Sequence, residues 1–501
     1  MRSCCLNLFM ILGLAVSSLA ADHYICQHAS GAGDGSTWTN ACTDFRGSCA
    51  PNSMVRGDTY WVAGGSYSSS GVTFAAADSG SAVITINAAT DSAHGSTSTG
   101  WTTGGSGSCS QGQAMFGPLQ FQSDYWTFNG VYRGNGTGNQ WLDWRTNYGF
   151  KVNNNNGSHV PVNSVGAIVV GIGGSYQPQN GVQIEYTEVQ GSGDITGNYT
   201  DMGIQFTGGS STGDYAGYNY VHDVGVADAI DGDSVNSFTI EYNWVKNNEV
   251  TAAKHSEILA IRCWNNGTDQ NINIRYNYVE NSNSTAMIAT PCVNDIRPSN
   301  WAIYGNVFLY NSSEAQPGYT CNDSPTECGN GDGWLSLWNF TNWTGYLYVF
   351  NNTISSIDQD GGSCHHDWGG STGQTMGTVL FYNNVYYNCQ ENIAPLKCPG
   401  TCAQYVDDYN SYFDMHETND TGAHVQISQV DPFTLVAQVL NEDNFALSTD
   451  TSAWFNTGSL LPGNNLDLAG NTRSSSRGAL QYSSNSNTAP NPPTGLKATV
   501  N

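Results

Sequence analysis

The amino-acid sequence predicts an all-β protein that folds as a single-stranded right-handed parallel β-helix, a solenoid. Two observations support this fold class: short strand-like segments recur with an asparagine at the same place in each, and no stretch of 12 residues has a convincing helical period. The composition agrees, since only 11% of the 501 residues are charged and 58 are glycine. With 41 acidic residues against 15 lysines and arginines, the net charge of -26 excludes a basic face for nucleic acid.

The recurrent asparagine marks the copies of the repeat. Each of the first six has an apolar residue three positions before it and another two positions after it, as Ile240 and Val245 lie around Asn243. The steps of 24, 34, 29, 46 and 32 residues are too unequal for propeller blades, and leucine is too scarce for leucine-rich repeats. The asparagines are Asn219, Asn243, Asn277, Asn306, Asn352 and Asn384, with Asn410 as a less regular seventh.

One strand cluster per copy cannot bury its own apolar face, so neighbouring copies must stack. At a coil corner the side-chain amide of each asparagine can bond the amide of the next one. The repeat therefore predicts an asparagine ladder at the corner of the solenoid.

The two ends of the chain differ in composition from its body. Residues 1–20 have one arginine, a short apolar stretch and small residues before position 21, which predicts a secretory signal peptide and no membrane span. Residues 21–482 are expected to form the β-helix with its terminal caps. Residues 483–501 read as a Pro/Ser/Asn-rich tail. These features predict a secreted, extracellular protein.

Twelve cysteines follow residue 20, and an even number in an exported chain favours disulfides over zinc. Their connectivity is open, although Cys263 and Cys292 would join adjacent repeats. Eleven Asn-x-Ser/Thr sequons make glycosylation possible, but many arise by chance in a chain so rich in asparagine.

Two segments resemble known β-helix proteins. The run YICQHASGAGDGSTW from Tyr24, followed by RGDTYWVAGGSY from Arg56, is similar to the opening of secreted pectate-lyase-like β-helix proteins. The run LDLAGNTRSSSRGALQY from Leu466 resembles the segment that closes many of them. The resemblance spans residues 23–482 and implies the architecture, while the superfamily contains lyases, hydrolases, epimerases and proteins without activity.

The candidate site lies where cations and carboxylates concentrate. Four of the 14 cations after residue 20 fall between residues 254 and 297, just after an acidic run. If the corners are equal in length, Asp231 faces His255 and Asp233 faces Glu257 on the next coil, because each pair shares its distance from the recurrent asparagine. Carboxylates so grouped could bind Ca²⁺, which prefers oxygen ligands. The predicted calcium ligands are Asp228, Asp231, Asp233 and Glu257.

A bound calcium ion would neutralise a uronate carboxylate, and a nearby group could then remove the C5 proton. Arginine is a poor base, so Lys254 is the better candidate, with His255 beside it and Arg262 holding a substrate carboxylate. The run KHSEILAIR from Lys254 also weakly resembles the calcium and catalytic segment of polysaccharide lyase family six. Glu257 matches an acidic position there and Arg262 the position of a lysine. The family's later Arg-His-Gly is absent, since residues 285–292 read TAMIATPC.

Four more residues are candidates for substrate binding. Trp334 and Trp338 are spaced like aromatics that stack on sugar rings, although both could equally belong to the core. Arg275 and Arg297 could bind substrate carboxylates, although Arg275 could instead pair with Glu241 one coil earlier. A separate cluster, His365-His366-Asp367, could bind a metal or transfer protons, or simply lie in a surface loop.

The sequence thus predicts a carbohydrate-active protein whose partner is an extracellular polysaccharide. The first hypothesis is a lyase that cleaves a uronate-containing glycan by β-elimination. A glycoside hydrolase with paired carboxylates is an alternative, as Asp231 and Asp233 at i and i+2 of a strand would lie about 6–7 Å apart. A binding, adhesion or surface-structural protein without activity is the other alternative.

Overall fold

A computed structural model of the protein gives the fold. It describes residues 20–94, 99–104, 108–131, 148–153, 166–171, 177–193, 202–207, 209, 211–224, 228–248, 257–262, 268–282, 288–289, 298–309, 334–337, 340, 342–355, 366–367, 374–387, 398, 400–413, 422–428, 454–461, 466–468, 472–473 and 476–480.

Within the described ranges, thirty-five strands, numbered β1–β35 in chain order, form three sheets in which every pairing between strands is parallel. Sheet A contains β1 (Asp22–Ile25), β2 (Thr59–Val62), β5 (Ile84–Ala88), β8 (Trp126–Asn129), β11 (Gln183–Glu185), β15 (Tyr215–Gly217), β19 (Thr239–Glu241), β22 (Gln270–Arg275), β25 (Ser299–Tyr304), β28 (Asn342–Phe350), β31 (Thr375–Tyr382) and β33 (Thr401–Asp408), with β14 (Ser211–Thr212) and β18 (Val235–Asn236) at its side.

Sheet B contains β3 (Gly65–Tyr67), β6 (Ala114–Phe116), β9 (Phe150–Asn153), β12 (Thr187–Gln190), β16 (Tyr220–His222), β20 (Trp244–Asn248), β23 (Tyr278–Ser282), β26 (Val307–Leu309), β29 (Thr353–Ser355), β32 (Val385–Tyr387), β34 (Ser411–Phe413) and β35 (Gln426–Ser428). Sheet C contains β4 (Val72–Phe74), β7 (Leu119–Phe121), β10 (Gly166–Val170), β13 (Met202–Phe206), β17 (Ile230–Asp233), β21 (Leu259–Arg262), β24 (Ile288–Ala289), β27 (Leu335–Ser336) and β30 (His366–Asp367).

The only helical segments among the described residues are three short 3₁₀ turns, Gly47–Cys49, Pro51–Ser53 and Thr457–Ser459. No helix in those ranges has the length and apolar character needed to cross a membrane.

Each coil passes from sheet C to sheet A to sheet B, so all three sheets surround one core. Alternation along each strand points every second side chain inward, as it does for Ile184, Ala216, Ile240 and Ile274, which are in register on four successive strands and are fully buried. The predicted fold class, an all-β parallel β-helix, is therefore confirmed.

The predicted asparagine ladder is also present. It lies inside the corner between sheets A and B, where Nδ2 of each asparagine donates to Oδ1 of the next at 3.0 Å, from Asn219 through Asn410. Each later Oδ1 also accepts the backbone N–H of the asparagine before it, while that of Asn219 accepts the N–H of Thr187, and each Nδ2 bonds a backbone carbonyl. All of these asparagines are fully buried, so the ladder satisfies polar groups that water cannot reach.

The residue before each ladder asparagine turns the corner with a positive φ. Tyrosines hold this position before Asn219, Asn243 and Asn277, and the equivalent position before Thr187 one coil earlier, with φ between 49° and 58°, although left-handed backbone is uncommon for such bulky residues. Their rings stack along the axis at centroid distances of 4.7, 4.9 and 5.0 Å. This tyrosine ridge consists of Tyr186, Tyr218, Tyr242 and Tyr276.

Three disulfides join described cysteines, as the even cysteine count predicts. Cys26–Cys109 and Cys42–Cys49 tie down the N-terminal end of the solenoid, around the buried Trp38, and Cys398–Cys402 lies next to β33. Cys263 and Cys292 lie outside the described residues.

A C-terminal strap, formed by residues 454–461, 466–468, 472–473 and 476–480, packs on the corner between sheets A and B. Asn351 and Asn383, which occupy the positive-φ corner positions there, bond the strap at Thr457, Ser476 and Phe455. The buried Arg477 donates to the carbonyl of Asn410 and to the Ser411 hydroxyl. The described residues of the run that begins at Leu466 thus lie along the side of the last coils.

The outer face of sheet B carries a charged network around His222. Its Nδ1 lies 2.7 Å from Asp223 and its Nε2 3.3 Å from Glu188, which also bonds Lys151 at 2.5 Å and Gln113 at 2.9 Å. Burial by itself would lower the pKa of His222, but the two carboxylates outweigh it and raise that pKa. Burial would likewise raise the pKa of Glu188, but its three hydrogen bonds lower that pKa to about 2.

We expect the His222→Gln variant to be less stable than the wild type at pH 5–6 and to approach it in alkaline solution. A histidine whose pKa is raised by folding stabilises the folded state fully at pH values below its pKa in the unfolded chain. This contribution is lost as the pH rises through its pKa in the folded protein. The difference in free energy of unfolding should change by at most about 1.4 kcal/mol per pH unit. Urea denaturation between pH 5 and 9 measures it, and a difference independent of pH would contradict a charged His222.

Candidate functional site

The candidate site lies on the outer face of sheet C. In β17, Ile230 and Gly232 point into the core, so Asp231 and Asp233 point outward. On β21, Ala260 is in register with Asp231 and Arg262 with Asp233. The expectation that Asp231 faces His255 and Asp233 faces Glu257 is therefore wrong. The coil after Asn243 has five more residues before β21 than equal corners would give, because Ala260 follows Asn243 by 17 residues and Asp231 follows Asn219 by 12.

Arg262 joins the carboxylates of this face. Its Nη2 lies 2.7 and 2.6 Å from the two carboxylate oxygens of Asp228 and 3.1 Å from Oε2 of Glu257, and its Nε lies 3.9 Å from Oδ1 of Asp231. The side chain of Arg262 is 17% exposed, whereas Asp228 is fully buried and Glu257 nearly so. One guanidinium thus holds carboxylates from two coils.

The pKa values of the carboxyl groups rise at this site. Burial, with Arg262 opposing it, raises the pKa of Asp231 to about 6 and that of Asp228 well above its usual range. Burial and the nearby Asp231 likewise raise the pKa of Asp233. For Arg262, burial works against the charge, but the surrounding carboxylates outweigh it and raise its pKa. Arg262 therefore stays protonated and serves as an anchor, while the carboxyls can hold protons near neutral pH.

The predicted calcium ligands do not leave a set of oxygens around a common point. Asp228 and Glu257 are both taken by Arg262, while Oδ1 of Asp231 and Oδ1 of Asp233 are buried without a hydrogen-bond partner. Within the part of the chain that the structure describes, no three His, Cys, Asp or Glu side chains are grouped so that they could hold a metal ion. As they lie, these residues do not fit the predicted calcium site.

Several other candidates lie outside the described residues or apart from this site. Lys254, His255, Arg297, Trp338 and His365 are outside the described ranges. For His366 and Asp367 only the backbone, in β30, is described.

Trp334 is fully buried in the core, where its ring packs against Phe308 at 5.2 Å. It therefore presents no face to a sugar. Arg275 points outward from sheet A, away from Arg262, and binds Glu241 at 2.5 Å, as the cross-strand alternative expects.

Sequence reasoning missed two residues at the site. Gln205, in register with Asp231 on β13, donates to its Oδ2 at 3.3 Å. Asp269 is fully buried, accepts the N–H of Val235 at 3.0 Å and lies close enough to Asp233 to raise its pKa. The sequence does contain a signal for Asp269, namely an aspartate directly before a strand of sheet A. Asp214 occupies the same position before β15 that Asp269 occupies before β22.

No protein-family model matches the chain, and no curated protein matches its sequence. Solved structures do match. The chain is similar to pectate lyase Pel9A, at 12% identity over 93% of this chain and 97% of that one, with a TM-score of 0.44. It is also similar to XylC in complex with xylose, at 10% identity over 92% and 98% of the two chains and a TM-score of 0.41.

A third similar structure is a mannuronic-acid-specific polysaccharide family 6 lyase from human gut microbiota, at 10% identity over 75% and 79% of the chains and a TM-score of 0.37. At such identities the likeness concerns the fold alone. Three all-parallel sheets around one core, with an asparagine ladder in one corner, give the protein the parallel β-helix architecture that the sequence predicts.

Proposed function

We propose that the protein is a secreted carbohydrate-active enzyme that cleaves a uronate-containing extracellular polysaccharide by β-elimination on the outer face of sheet C. The observation that carries this proposal is the protonated guanidinium of Arg262, held on that face beside the carboxyl group of Asp231, whose pKa is about 6. The three disulfides support secretion, because such bonds persist in oxidising compartments.

In the proposed reaction, a base removes the C5 proton of the uronate, the C4–O bond breaks and the leaving oxygen receives a proton. Arg262 binds the uronate carboxylate through Nη1, for which the described residues supply no hydrogen-bond partner. The protonated carboxyl of Asp231 gives its proton to the leaving oxygen. Lys254, which precedes Glu257 by three residues in the sequence and lies outside the described residues, is the proposed base.

Hydrolysis is the second candidate, and the pKa of Asp231 favours it as well. A carboxylic acid that keeps its proton near neutral pH is the general acid that glycoside hydrolysis requires. Asp233, two residues along the same strand face, would lie about 6–7 Å away and could serve as the base that activates water. This spacing borders on the roughly 6.5–9.5 Å of inverting enzymes.

We expect incubation with alginate, pectate or chondroitin to give products that absorb as unsaturated uronates, and Asp231→Asn to lower the rate by about 100-fold or more. Ultraviolet absorbance and a reducing-end assay measured in parallel distinguish the chemistries, because hydrolysis creates reducing ends without that absorbance.

Glu280→Gln is the matched control, since Glu280 is a buried carboxylate on the outer face of sheet B, where it pairs with Lys246 at 3.4 Å. It should leave the rate unchanged. Binding of these glycans without any product, unaffected by Asp231→Asn, would instead identify a binding or structural protein.

A further inference from the structure

On the outer face of sheet A, the ring of Tyr215 lies across Gly217 between two glutamates. Glu185, Gly217 and Glu241 are in register on consecutive strands, so the carboxylates stand about one strand spacing, roughly 4.8 Å, on either side of the glycine. A Cβ on Gly217 would lie 2.2 Å from the Tyr215 hydroxyl oxygen. Glycine is thus required at this position, because any side chain would displace the ring.

One of the two glutamates is fully engaged. The Tyr215 hydroxyl donates to Oε1 of Glu241 at 2.8 Å, and Nε of Arg275 donates to its Oε2 at 2.5 Å. Arg275 in turn donates from Nη1 to the hydroxyl of Tyr304 at 2.8 Å. These contacts hold the phenol, the carboxylate and the guanidinium in place before any ligand arrives, which reduces the entropy lost on binding.

Glu185 is held differently. Its Oε2 accepts a hydrogen bond from Asn129 at 3.0 Å, but no Lys, Arg or His among the described residues forms an ion pair with it. Burial and the neighbouring Glu241 raise the pKa of Glu185 to about 7. In the same outward column, the two preceding coils carry neutral amides, Asn129 and Asn87. A carboxylate here destabilises the fold compared with such an amide, because the hydrogen bond from Asn129 is not accompanied by a described cation.

We propose that Tyr215, Glu185, Glu241 and Arg275 form a second glycan-binding site, which takes a residue of a neutral polysaccharide over the tyrosine ring. Sugar hydroxyls are donors that carboxylates accept, and half-buried aromatic rings pack against the apolar faces of pyranoses. The half-buried Tyr186 and Tyr218 of the tyrosine ridge adjoin this group.

Charge selects the class of ligand. The site has two carboxylates against one guanidinium, so a polyuronate is repelled from it while a neutral chain is not. The site lies on sheet A and shares no residue with the acidic face of sheet C. It therefore does not depend on the function proposed for that face, and could hold a neutral component of a mixed polysaccharide during cleavage.

Calorimetric titration with xylohexaose and cellohexaose tests the proposal, with trigalacturonate as the anionic comparison. We expect at least one neutral hexasaccharide to bind the wild type and Glu185→Gln to weaken that binding about tenfold, the loss of one charge-assisted hydrogen bond. Wild-type binding should strengthen as the pH rises through about 7, because the ionised carboxylate of Glu185 is the better acceptor, whereas Glu185→Gln should bind independently of pH.

Two further measurements separate binding from stability and from the site on sheet C. The melting temperature of Glu185→Gln should equal or exceed that of the wild type, since the variant removes a buried carboxylate without a cation. Asp231→Asn should bind the neutral oligosaccharide as the wild type does. The proposal is overturned if neither neutral hexasaccharide binds, if Glu185→Gln binds as tightly as the wild type, or if Asp231→Asn abolishes binding.

Discussion

Replacement of Asn306 by leucine is expected to lower the free energy of unfolding by about 4 kcal/mol or more, because each buried polar group left without a partner costs about 1–3 kcal/mol. The amide of Asn306 accepts from the backbone N–H and Nδ2 of Asn277, and donates to the carbonyl of Ile274 and to Oδ1 of Asn352. Leucine supplies none of these bonds, and Asn306 is fully buried away from bulk water. Urea denaturation followed by circular dichroism measures the loss.

Asn236→Leu is the matched control. Asn236 also bonds an asparagine of the next coil, Nδ2 of Asn271 at 2.9 Å, but on the outside of the solenoid where water can replace it. This variant should cost less than about 1 kcal/mol. Equal losses for the two variants would mean that the ladder contributes no more than a surface contact.

Replacement of Arg262 by methionine is expected to cost about 3–5 kcal/mol at pH 7, since it leaves the buried Asp228 and Glu257 without their cation. It should also abolish any cleavage activity. Without Arg262, whose charge lowers the pKa of Asp228, that pKa rises further. A carboxyl group whose pKa is raised in the folded state stabilises the fold fully below its unfolded pKa and loses that contribution as the pH rises. The stability that Arg262→Met loses relative to the wild type should therefore be small near pH 4 and grow toward pH 7.

A variant that combines Arg262→Met with Asp228→Asn and Glu257→Gln distinguishes the two roles. Its stability at pH 7 should largely recover, because the two carboxylates that Arg262 contacts through Nη2 are neutral amides in this variant, while its activity should stay absent. Retained activity in this variant would remove Arg262 from the proposed mechanism, and an unchanged stability of the single variant would show that the ion pairs do not hold this face together.

The fold could be predicted because its determinant is local and repeated. Apolar residues placed around each recurrent asparagine are enough to imply stacked coils, and the ladder follows from the chemistry of one side chain. The register of sheet C could not be predicted in the same way. The additional residues between Asn243 and β21 place Ala260 opposite Asp231. The sequence alone does not give the length of that corner, so it does not give this register either.

The sequence predicted several residues of the candidate site but not which of them contact each other. Arg262 and its carboxylates stand close together in the sequence, yet that closeness does not show that the guanidinium binds two of the predicted calcium ligands. Trp334 illustrates another limit. In an alternating strand the sequence does not indicate which set of side chains points inward, so a core ring and a sugar-binding ring look alike until the register is known.

The C-terminal strap determines when this molecule can finish folding. Coils can stack in the order in which the ribosome delivers them, since each pairs with its immediate predecessor. The corner at Asn351 and Tyr382 is an exception, because its partners Thr457 and Phe455 are made about 70–110 residues later. Until then its aromatic surface stays open to water and to other chains. We therefore expect a chain that ends before the strap to expose this aromatic surface and to aggregate more readily than the complete sequence.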